Sequence, residues 1–502
     1  MNLCLLLEMA VAQDPDRVAV TEVDGSSLTT SQLSDLADAA AKVFRATGAS
    51  HIGYCGVNGR ALPVALFGAA AAALPFVPLN YRLADEQLRD VASRHDIVIV
   101  AGPKDAQRLH SLGLSRTIDP SEILEPSPST ATIPDYSSAE PDHHALLLYT
   151  SGTTSAPKAA VLRHRHLTSY ILGSVEFASM SPDDAVIVCV PPYHVAGVMN
   201  LLSNLYSGRR IVYLDPFDAS RWLSTVRDQH VTHAMVVPTM LSRIVQAFEQ
   251  SPVNLPSLRS ISYGGALMPQ QIIAKALELF PDIAFTNAYG LTETSSTVAL
   301  LGPEDHRAAI ASDDDAVRNR LRSVGRPIPG VTIEVHDEAG TACEPGVAGE
   351  VVVRGEQVAG EYLGSTTPGD GWFHTRDRGW LDDAGFLFIE GRADDTIIRG
   401  GENIAPAEIE DVLLRHDAVA ECAVVGIDDE EWGQRIAAAV VLEPGATILP
   451  EELIEFARTH LRTSKTPEMI AIEESLPYTD TGKLLRRVVR DRLSVEFPTA
   501  YE

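Results

Sequence analysis

Short apolar runs rich in β-branched residues recur along the chain, each followed by a segment with helical spacing, and this alternation sets the tightest limit on the fold. Ile97-Val98-Ile99-Val100-Ala101 is one such run, and residues 185–190, 211–214 and 233–237 repeat it. Runs this short, apolar on both faces, suit strands buried in a parallel sheet. Residues 220–230 and 239–250 read as helices between them. The alternation predicts α/β units around largely parallel sheet. At 502 residues the chain is too long for one core, so two or more domains are expected.

Beyond about Gly330 the spacing changes. Val331-Thr332-Ile333-Glu334-Val335 and Glu350-Val351-Val352-Val353-Arg354 alternate polar and apolar residues, as in an antiparallel sheet with one wet face. After Arg392 a compact α+β unit is expected, with helices at 408–414 and 451–461 and strands at 423–427 and 437–442. Residues 120–136, rich in Pro, Ser and Thr, read as a loop.

Composition excludes some classes. Hydrophobic residues make up 45% and charged residues 22%, ordinary for a globular chain. A formal net charge of −28 argues against a nucleic-acid partner, which needs a basic face. The five cysteines, Cys4, Cys55, Cys189, Cys343 and Cys422, are scattered and form no C-x-x-C pair, which favours a reducing compartment. The N-terminus has no basic residue before its apolar run and reads as an amphipathic helix rather than a signal peptide. Residues 65–79 are too short for a membrane span and are broken by Pro75 and Pro78. A cytoplasmic protein without a transmembrane segment is expected.

Six segments carry candidate chemistry. Tyr149-Thr150-Ser151-Gly152-Thr153-Thr154-Ser155-Ala156-Pro157-Lys158 follows an apolar strand, and its hydroxyls, backbone N–H groups and lysine can cradle a polyphosphate. The spacing is not that of a Walker A loop, and a polar surface turn would show the same composition. In Asn287-Ala288-Tyr289-Gly290-Leu291-Thr292-Glu293-Thr294 a strand end meets a glycine suited to a tight turn, and Glu293 offers a hard oxygen ligand for Mg²⁺. A helix-starting acid is the plainer alternative. Ser262-Tyr263-Gly264-Gly265-Ala266 could let a flat ring pack against backbone, or be an ordinary strand-to-helix turn. Gly371-Trp372-Phe373-His374-Thr375-Arg376-Asp377 ends on a carboxylate that can accept both hydroxyls of a ribose. Residues 391–404 pair two glycines with a charge cluster, as in a turn that must bend or move, and Thr481-Gly482-Lys483 places a lysine near the C-terminus.

Together these segments resemble the adenylate-forming superfamily of acyl- and aryl-CoA synthetases, luciferases and peptide-synthetase adenylation domains. The resemblance runs in order from about Arg17 to the C-terminus, through Y-T-S-G-T-T-x-x-P-K, Y-G-L-T-E, G-W-F-H-T-x-D, G-R-x-D-D-x-I-I-R-G-G-E-N-I and T-G-K. It implies an α/β fold with a large N-terminal domain of sheets packed with helices, an antiparallel β subdomain and a small mobile α+β C-terminal domain. The implied domains are 1–393, for adenylation, and 394–502, a lid that carries the catalytic lysine.

The implied roles follow. Thr150, Ser151, Gly152, Thr153, Thr154 and Lys158 would lie over the phosphates, and Thr150 and Glu293 would hold Mg²⁺. Gly264, Gly265 and Ala266, with Asn287, Ala288, Tyr289, Gly290 and Thr292, would enclose the nucleotide. Asp377 would bind the ribose beside Arg392. Asp394 matches the hinge, Lys483 the lysine that enters for adenylation and withdraws for thioester formation, and His194 the histidine beside the substrate carboxylate. Trp432 and Arg82 match positions that contact CoA in some relatives. The implied reaction uses ATP, Mg²⁺ and CoA to activate a small-molecule carboxylic acid, a hydrophobic and first of all a fatty acid, with an aryl acid second.

Departures widen the options. Ser155, Ala159 and Arg376 stand where the family usually has glycine. In residues 461–468 only Lys465 and Pro467 fit a CoA-gripping K-x-P segment, while Ser464, Thr466 and Glu468 do not. A carrier-protein phosphopantetheine is therefore an alternative acceptor. A catalytically silent binder of acyl-AMP or acyl-CoA is the alternative from another class, against which Lys483, Glu293, Asp377 and Arg392 speak. Oligomeric state stays open, a homodimer included.

Overall fold

The computed structural model describes residues 1–125, 139–150, 157–365, 371–399, 402–429, 432–479 and 483–497. Among them, the largest sheet has nine strands. Their spatial order is Arg326–Pro327, Ser296–Leu301, Ala284–Leu291, Ser260–Gly264, His233–Val236, Ala185–Val188, Arg210–Tyr213, Val18–Thr21 and Ser27–Thr29. The six strands from Ala284–Leu291 to Val18–Thr21 are parallel, and antiparallel strands finish both edges. Helices Ala219–Asp228 and Pro238–Gln250 bury Trp222, Leu223, Leu241 and Ile244 in the core under this sheet. The apolar runs at 185, 211 and 233 are thus strands buried on both faces, as their composition requires.

A second sheet of six strands runs Thr117–Ile118, Ile97–Ala101, His51–Cys55, Phe76–Pro78, His144–Thr150, Lys158–Arg163. Its last two strands pair antiparallel, with Thr150 opposite Lys158, so both stems of the phosphate-loop candidate leave one sheet edge together. The apolar run at residue 65 belongs to helix Ala61–Ala71, buried along its whole length, and no described helix is long and apolar enough to cross a membrane.

The change in spacing after Gly330 corresponds to a four-stranded antiparallel sheet, Val331–His336, Gly349–Gly355, Phe373–Leu381 and Leu387–Arg392. After a short 3₁₀ turn, Ala393–Asp395, come a two-stranded ribbon and a three-stranded sheet, Val419–Asp429, Gly433–Leu442 and Met469–Ile472, flanked by helices Pro406–Leu413, Pro450–His460 and Arg486–Glu496. The chain is a mixed α/β fold with a large N-terminal part, an antiparallel sheet and a small C-terminal α+β unit.

Two local readings need correction. The loop expected at 120–136 begins as a helix, Pro120–Leu124. Proline suits the first helical position, and the Asp119 side chain caps the Ser121 N–H while Glu122 reaches back to the Asp119 N–H. Residues 126–138 lie outside the described residues. Gly290, expected in a tight turn, lies instead within strand Ala284–Leu291, and the chain turns at Thr292–Thr294. A Cβ at Gly290 would stand 1.7 Å from the Ser296 carbonyl oxygen, so glycine is required by the neighbouring strand.

Beneath the last helix the Arg486 guanidinium pairs with Glu410 and donates to the Val424 carbonyl at 2.9 Å, while Glu410 accepts the Val424 N–H at 2.7 Å. The pair is largely buried, so each charge needs the other. Arg486→Met strands Glu410 and is expected to destabilise the C-terminal unit by about 3–5 kcal/mol. Adding Glu410→Leu should restore most of the loss, read by hydrogen exchange at Val424 and its neighbours in the full chain.

Candidate active site

The site grows from the C-terminal ends of two parallel strands. Ser260–Gly264 and Ala284–Leu291 run side by side with Gly264 opposite Ala288. A Cβ on Gly264 would lie 2.2 Å from the Ala288 carbonyl oxygen, so the adjacent strand by itself requires glycine here. Gly265, at φ +85°, then turns the chain away and leaves Ala266 and Ala288 partly open. The buried Asn287 amide donates to the Ser323 carbonyl at 3.2 Å and fixes the neighbouring segment.

From the other side comes strand Phe373–Leu381. Glu350 pairs with Arg378 and Val352 with His374, so Thr375, Arg376 and Asp377 together oppose Val351 in a bulge. Arg376 takes φ +60° at its centre. The bulge turns the Asp377 carboxylate inward, where it is only 6% exposed. There the Tyr289 hydroxyl donates to Asp377 Oδ2 at 2.5 Å, and Arg392 Nε stands 3.0 Å from Oδ1. Arg392 also donates to the Thr375 carbonyl at 2.8 Å. Burial raises Asp377 above the usual aspartate range, with Glu293 adding to the rise, while Arg392, the Tyr289 hydroxyl and Lys483 oppose it.

Glu293 sits in the 3₁₀ turn, 7% exposed, and its Oε1 accepts the Tyr362 hydroxyl at 2.5 Å. Its backbone carbonyl accepts the Ala359 and Gly360 N–H groups at 2.9 and 3.1 Å. Lys158 Nζ lies 5.7 Å from the Tyr362 ring centre. Tyr362 is held by its neighbours' bonds to strand Lys158–Arg163, with Val161 N–H donating to Glu361 and Leu363 N–H to Ala159, both at 2.9 Å. Among the described residues no group of three His, Cys, Asp or Glu could alone hold a metal. One buried carboxylate, Glu293, instead fits an ion that takes most of its oxygens from phosphates and water, while the Thr150 hydroxyl donates to the Lys158 carbonyl at 3.5 Å. Ser151, Gly152, Thr153 and Thr154 lie outside the described residues.

Lys483 reaches this group from the C-terminal unit. Its N–H donates to Thr479 Oγ1 at 3.0 Å, and its carbonyl accepts the Thr479 N–H at 2.7 Å. The surrounding protein lowers the ammonium below the usual lysine range and Arg392 adds repulsion, while Asp377, Asp395 and Glu293 oppose the fall. Solvent still reaches this residue. Contacts beyond the site hold the C-terminal unit against the large part: Arg322 pairs with Asp411, and Gln271 donates to the Leu414 carbonyl.

Other residues singled out in the sequence have their own local settings. His194 precedes helix Val195–Ser207, half-buried, its ring 4.7 Å from that of Tyr193. Asp394 lies in the 3₁₀ turn between the antiparallel sheet and the C-terminal unit. Trp432, 43% exposed, lies under the Arg399 guanidinium at 4.9 Å. Glu468, which does not fit the CoA-gripping pattern, pairs with Arg399 and accepts the Ile436 N–H at 3.1 Å. Lys465 pairs with Glu408 at 2.6 Å.

Sequence reasoning missed Tyr362, whose signal was an aromatic residue framed by Gly360 and Gly364. It also missed the brace behind the phosphate-loop stems. His95 Nε2 and the Tyr149 hydroxyl are 2.6 Å apart, and Arg94 donates to the Pro157 carbonyl at 2.6 Å. Burial, then His51 and Arg94, pulls His95 down to about 4, so it is neutral at pH 7.

The field around Lys483 is testable. Asp377→Asn removes a negative charge that favours the ammonium, so the Lys483 pKa should fall further. Reductive ¹³C-methylation of the lysines and NMR titration read this directly. An unchanged or raised value would mean that Lys483 lies away from the cleft in solution.

Known proteins share this architecture. The AMP-binding enzyme family matches residues 7–363 and the AMP-binding enzyme C-terminal domain matches residues 408–483. A fatty acid–[acyl-carrier-protein] ligase, ScoC, from Streptomyces coeruleorubidus is 31% identical, over 93% of this chain and 92% of that protein. A feruloyl-CoA synthase from an Amycolatopsis species is 32% identical, over 93% and 94%. The o-succinylbenzoate CoA synthetase MenE from Bacillus subtilis, in complex with its acyl-adenylate intermediate OSB-AMP, superposes with a TM-score of 0.83 at 26% identity, covering 97% of this chain and 98% of that one. With both domain models matched in order along its length, the chain belongs to the AMP-binding enzyme family of adenylate-forming acid ligases.

Proposed function

We propose that this chain uses ATP to couple a hydrophobic carboxylic acid to the thiol of CoA. The observation that carries this reading is the convergence of Asp377, Arg392, Tyr289, Glu293 and Lys483, brought from three parts of the chain. In the first step an acid oxygen attacks the α-phosphorus of ATP, and the bond to pyrophosphate breaks. In the second a thiolate attacks the acyl carbon, and AMP leaves. Neither step needs a protein nucleophile, because AMP is already a good leaving group.

The residue roles follow. Asp377 receives the ribose hydroxyls, since it is buried and braced by Arg392 and Tyr289. Lys483 offsets charge on the α-phosphate and on the bridging oxygen. Thr150 and Glu293 would hold Mg²⁺, which when bound neutralises phosphate charge. His194 faces the acid carboxylate, and Trp432 lies along the path of the CoA arm. The chain divides between residues 393 and 394, and rotation about Asp394 withdraws Lys483 before the thiol enters. Five unpaired thiols fit a cytoplasmic protein.

The acid is hydrophobic on this reading. Val195, Ala196 and Gly197 open the helix after His194, and the next turn brings Asn200, whose amide meets the Met235 sulfur at 3.3 Å. Val237 and Ala266 continue a small, apolar lining that suits a fatty tail first and an aryl ring second. A second reading, transfer to a carrier protein, draws support from the K-x-P segment: Lys465 and Glu468 are both engaged within the protein. The 31% identity to a fatty acid–carrier-protein ligase points the same way.

Pyrophosphate exchange across a panel of fatty and aryl acids, followed by CoA and a phosphopantetheinylated carrier protein as rival acceptors, tests both readings. Exchange with no acid would overturn the ligase reading, and exchange without CoA turnover would select the carrier protein. Lys483→Ala should slow adenylation on the order of 10²–10³-fold, as for loss of one transition-state donor. Thioester formation from preformed acyl-adenylate should change little, and equal loss of both steps would rule out separate roles.

A further inference from the structure

Three strands at the centre of the nine-stranded sheet have one face closed and one face partly open. Their pairing puts Met235 beside Ser262 and Ser262 beside Thr286, so these three side chains share a face. The next residues along, Val236, Tyr263 and Asn287, are buried on the opposite face, the first two within the core. Met235, Ser262 and Thr286 keep some exposure, although strands in the middle of a parallel sheet are ordinarily covered on both sides. Helix Val195–Ser207 lies over this row, since the Asn200 amide reaches the Met235 sulfur at 3.3 Å. Ala288, two residues beyond Thr286, carries the same face on to the strand ends beside Gly264.

The row is more polar than a hydrocarbon tail requires. A guanidinium has only donors, so the Asn204 side-chain oxygen must face Arg209, at 2.5 Å. The Asn204 amide nitrogen then donates to the Asn200 side-chain oxygen at 2.8 Å and to the Asn200 carbonyl at 2.7 Å. With its oxygen taken, Asn200 turns its N–H donors to the open row, where the described residues offer them only the Met235 thioether, a weak acceptor. Ser262 donates to the Ala234 carbonyl at 3.2 Å and keeps its oxygen for accepting. The Thr286 hydroxyl has no hydrogen-bond partner among the described residues. A half-buried amide donor with so poor a partner is stabilised by an oxygen brought from outside.

We propose that Asn200 is a specificity-determining residue, whose amide donates to an oxygen carried by an otherwise apolar acid. The inference rests on the adenylating reading, in which the acid carboxylate lies at His194, just before this helix. Asn200 stands six positions after His194, about 9 Å along the helix axis. A hydroxyl, ether or keto oxygen at a comparable distance from the carboxylate would reach the amide, and a plain alkyl chain would leave it with sulfur alone. A ring oxygen and a chain oxygen supply the same acceptor.

The experiment measures binding of acyl-sulfamoyl adenosines, stable stand-ins for the acyl-adenylate, by calorimetry, which requires no turnover. Two matched pairs are compared: para-hydroxycinnamoyl against cinnamoyl, and ω-hydroxyoctanoyl against octanoyl. In wild type at least one oxygenated member should bind on the order of tenfold tighter than its plain partner, the scale of one hydrogen bond. The pair that shows the preference tells ring from chain. Asn200→Leu should erase the preference by weakening the oxygenated member alone. In that variant the Asn204 amide keeps the carbonyl of residue 200, and unchanged affinity for the plain member reports an intact fold. Equal affinity within both pairs in wild type would overturn the proposal, and this comparison needs no variant. A preference that survives Asn200→Leu would overturn it too, by moving recognition to another residue. Binding of none of the four compounds would overturn the ligase reading and this inference with it, whereas equal binding of plain and oxygenated members overturns the inference alone.

Discussion

The carboxylate of Asp377 is the point on which the site depends, because three separately built parts of the chain meet at it. Its own strand belongs to the four-stranded antiparallel sheet. Tyr289, which donates to it, ends a strand of the nine-stranded sheet, and Lys483, which feels its charge, comes from the C-terminal unit. A carboxylate this buried is stable as an anion only with partners on several sides. Burial dominates its shift, so Arg392, Tyr289 and Lys483 offset the penalty only in part. The remaining tension suits a group that receives two hydroxyl donors from a ligand, since hydrogen bonds to the charged form relieve it.

The C-terminal unit presents its lysine by a different means. The Arg486–Glu410 pair lies three residues beyond Lys483 in sequence and anchors the start of helix Arg486–Glu496 to strand Val419–Asp429. Arg486 Nε also lies 3.9 Å from Asp395, in the turn that leads into the unit. The lysine segment and the entry turn are therefore tied to one buried charge pair, so the unit would carry both if it turned as a body. Its holds on the large part are fewer and more exposed, such as Arg322 with Asp411. Partly exposed pairs of that kind contribute little net stability, so they oppose such a turn only weakly.

The order and type of most elements were legible because burial on both faces leaves a strong mark on composition. The runs at residues 97, 185, 211 and 233 became strands within two residues of the expected bounds. Glu293, Asp377 and Lys483, singled out in the sequence for residue type and position, come within one another's electrostatic field in the structure. The site was not legible where the reason lies in a distant neighbour. Gly290 and Gly264 answer to carbonyl oxygens on adjacent strands, which no local pattern reveals. The engagement of Glu468 within the protein was not visible because its partner Arg399 is far off in sequence. Tyr362 was overlooked because its function depends on pairing with strand Lys158–Arg163, some two hundred residues earlier.

A chain with a net charge of −28 would bind a polyanion poorly through its overall field. The cleft answers this locally. Lys158, Arg392 and Lys483 come from three different segments, Lys158 beside the Tyr362 that bonds Glu293, Arg392 paired with Asp377, and Lys483 within the field of both carboxylates. The two carboxylates offset repulsion between the cations when no anion is present, and both oppose the lowering of Lys483. On the proposed reading, a triphosphate arriving with Mg²⁺ would meet Glu293 as an ion ligand rather than as a like charge. Local pairing of this kind makes nucleotide binding compatible with an acidic surface.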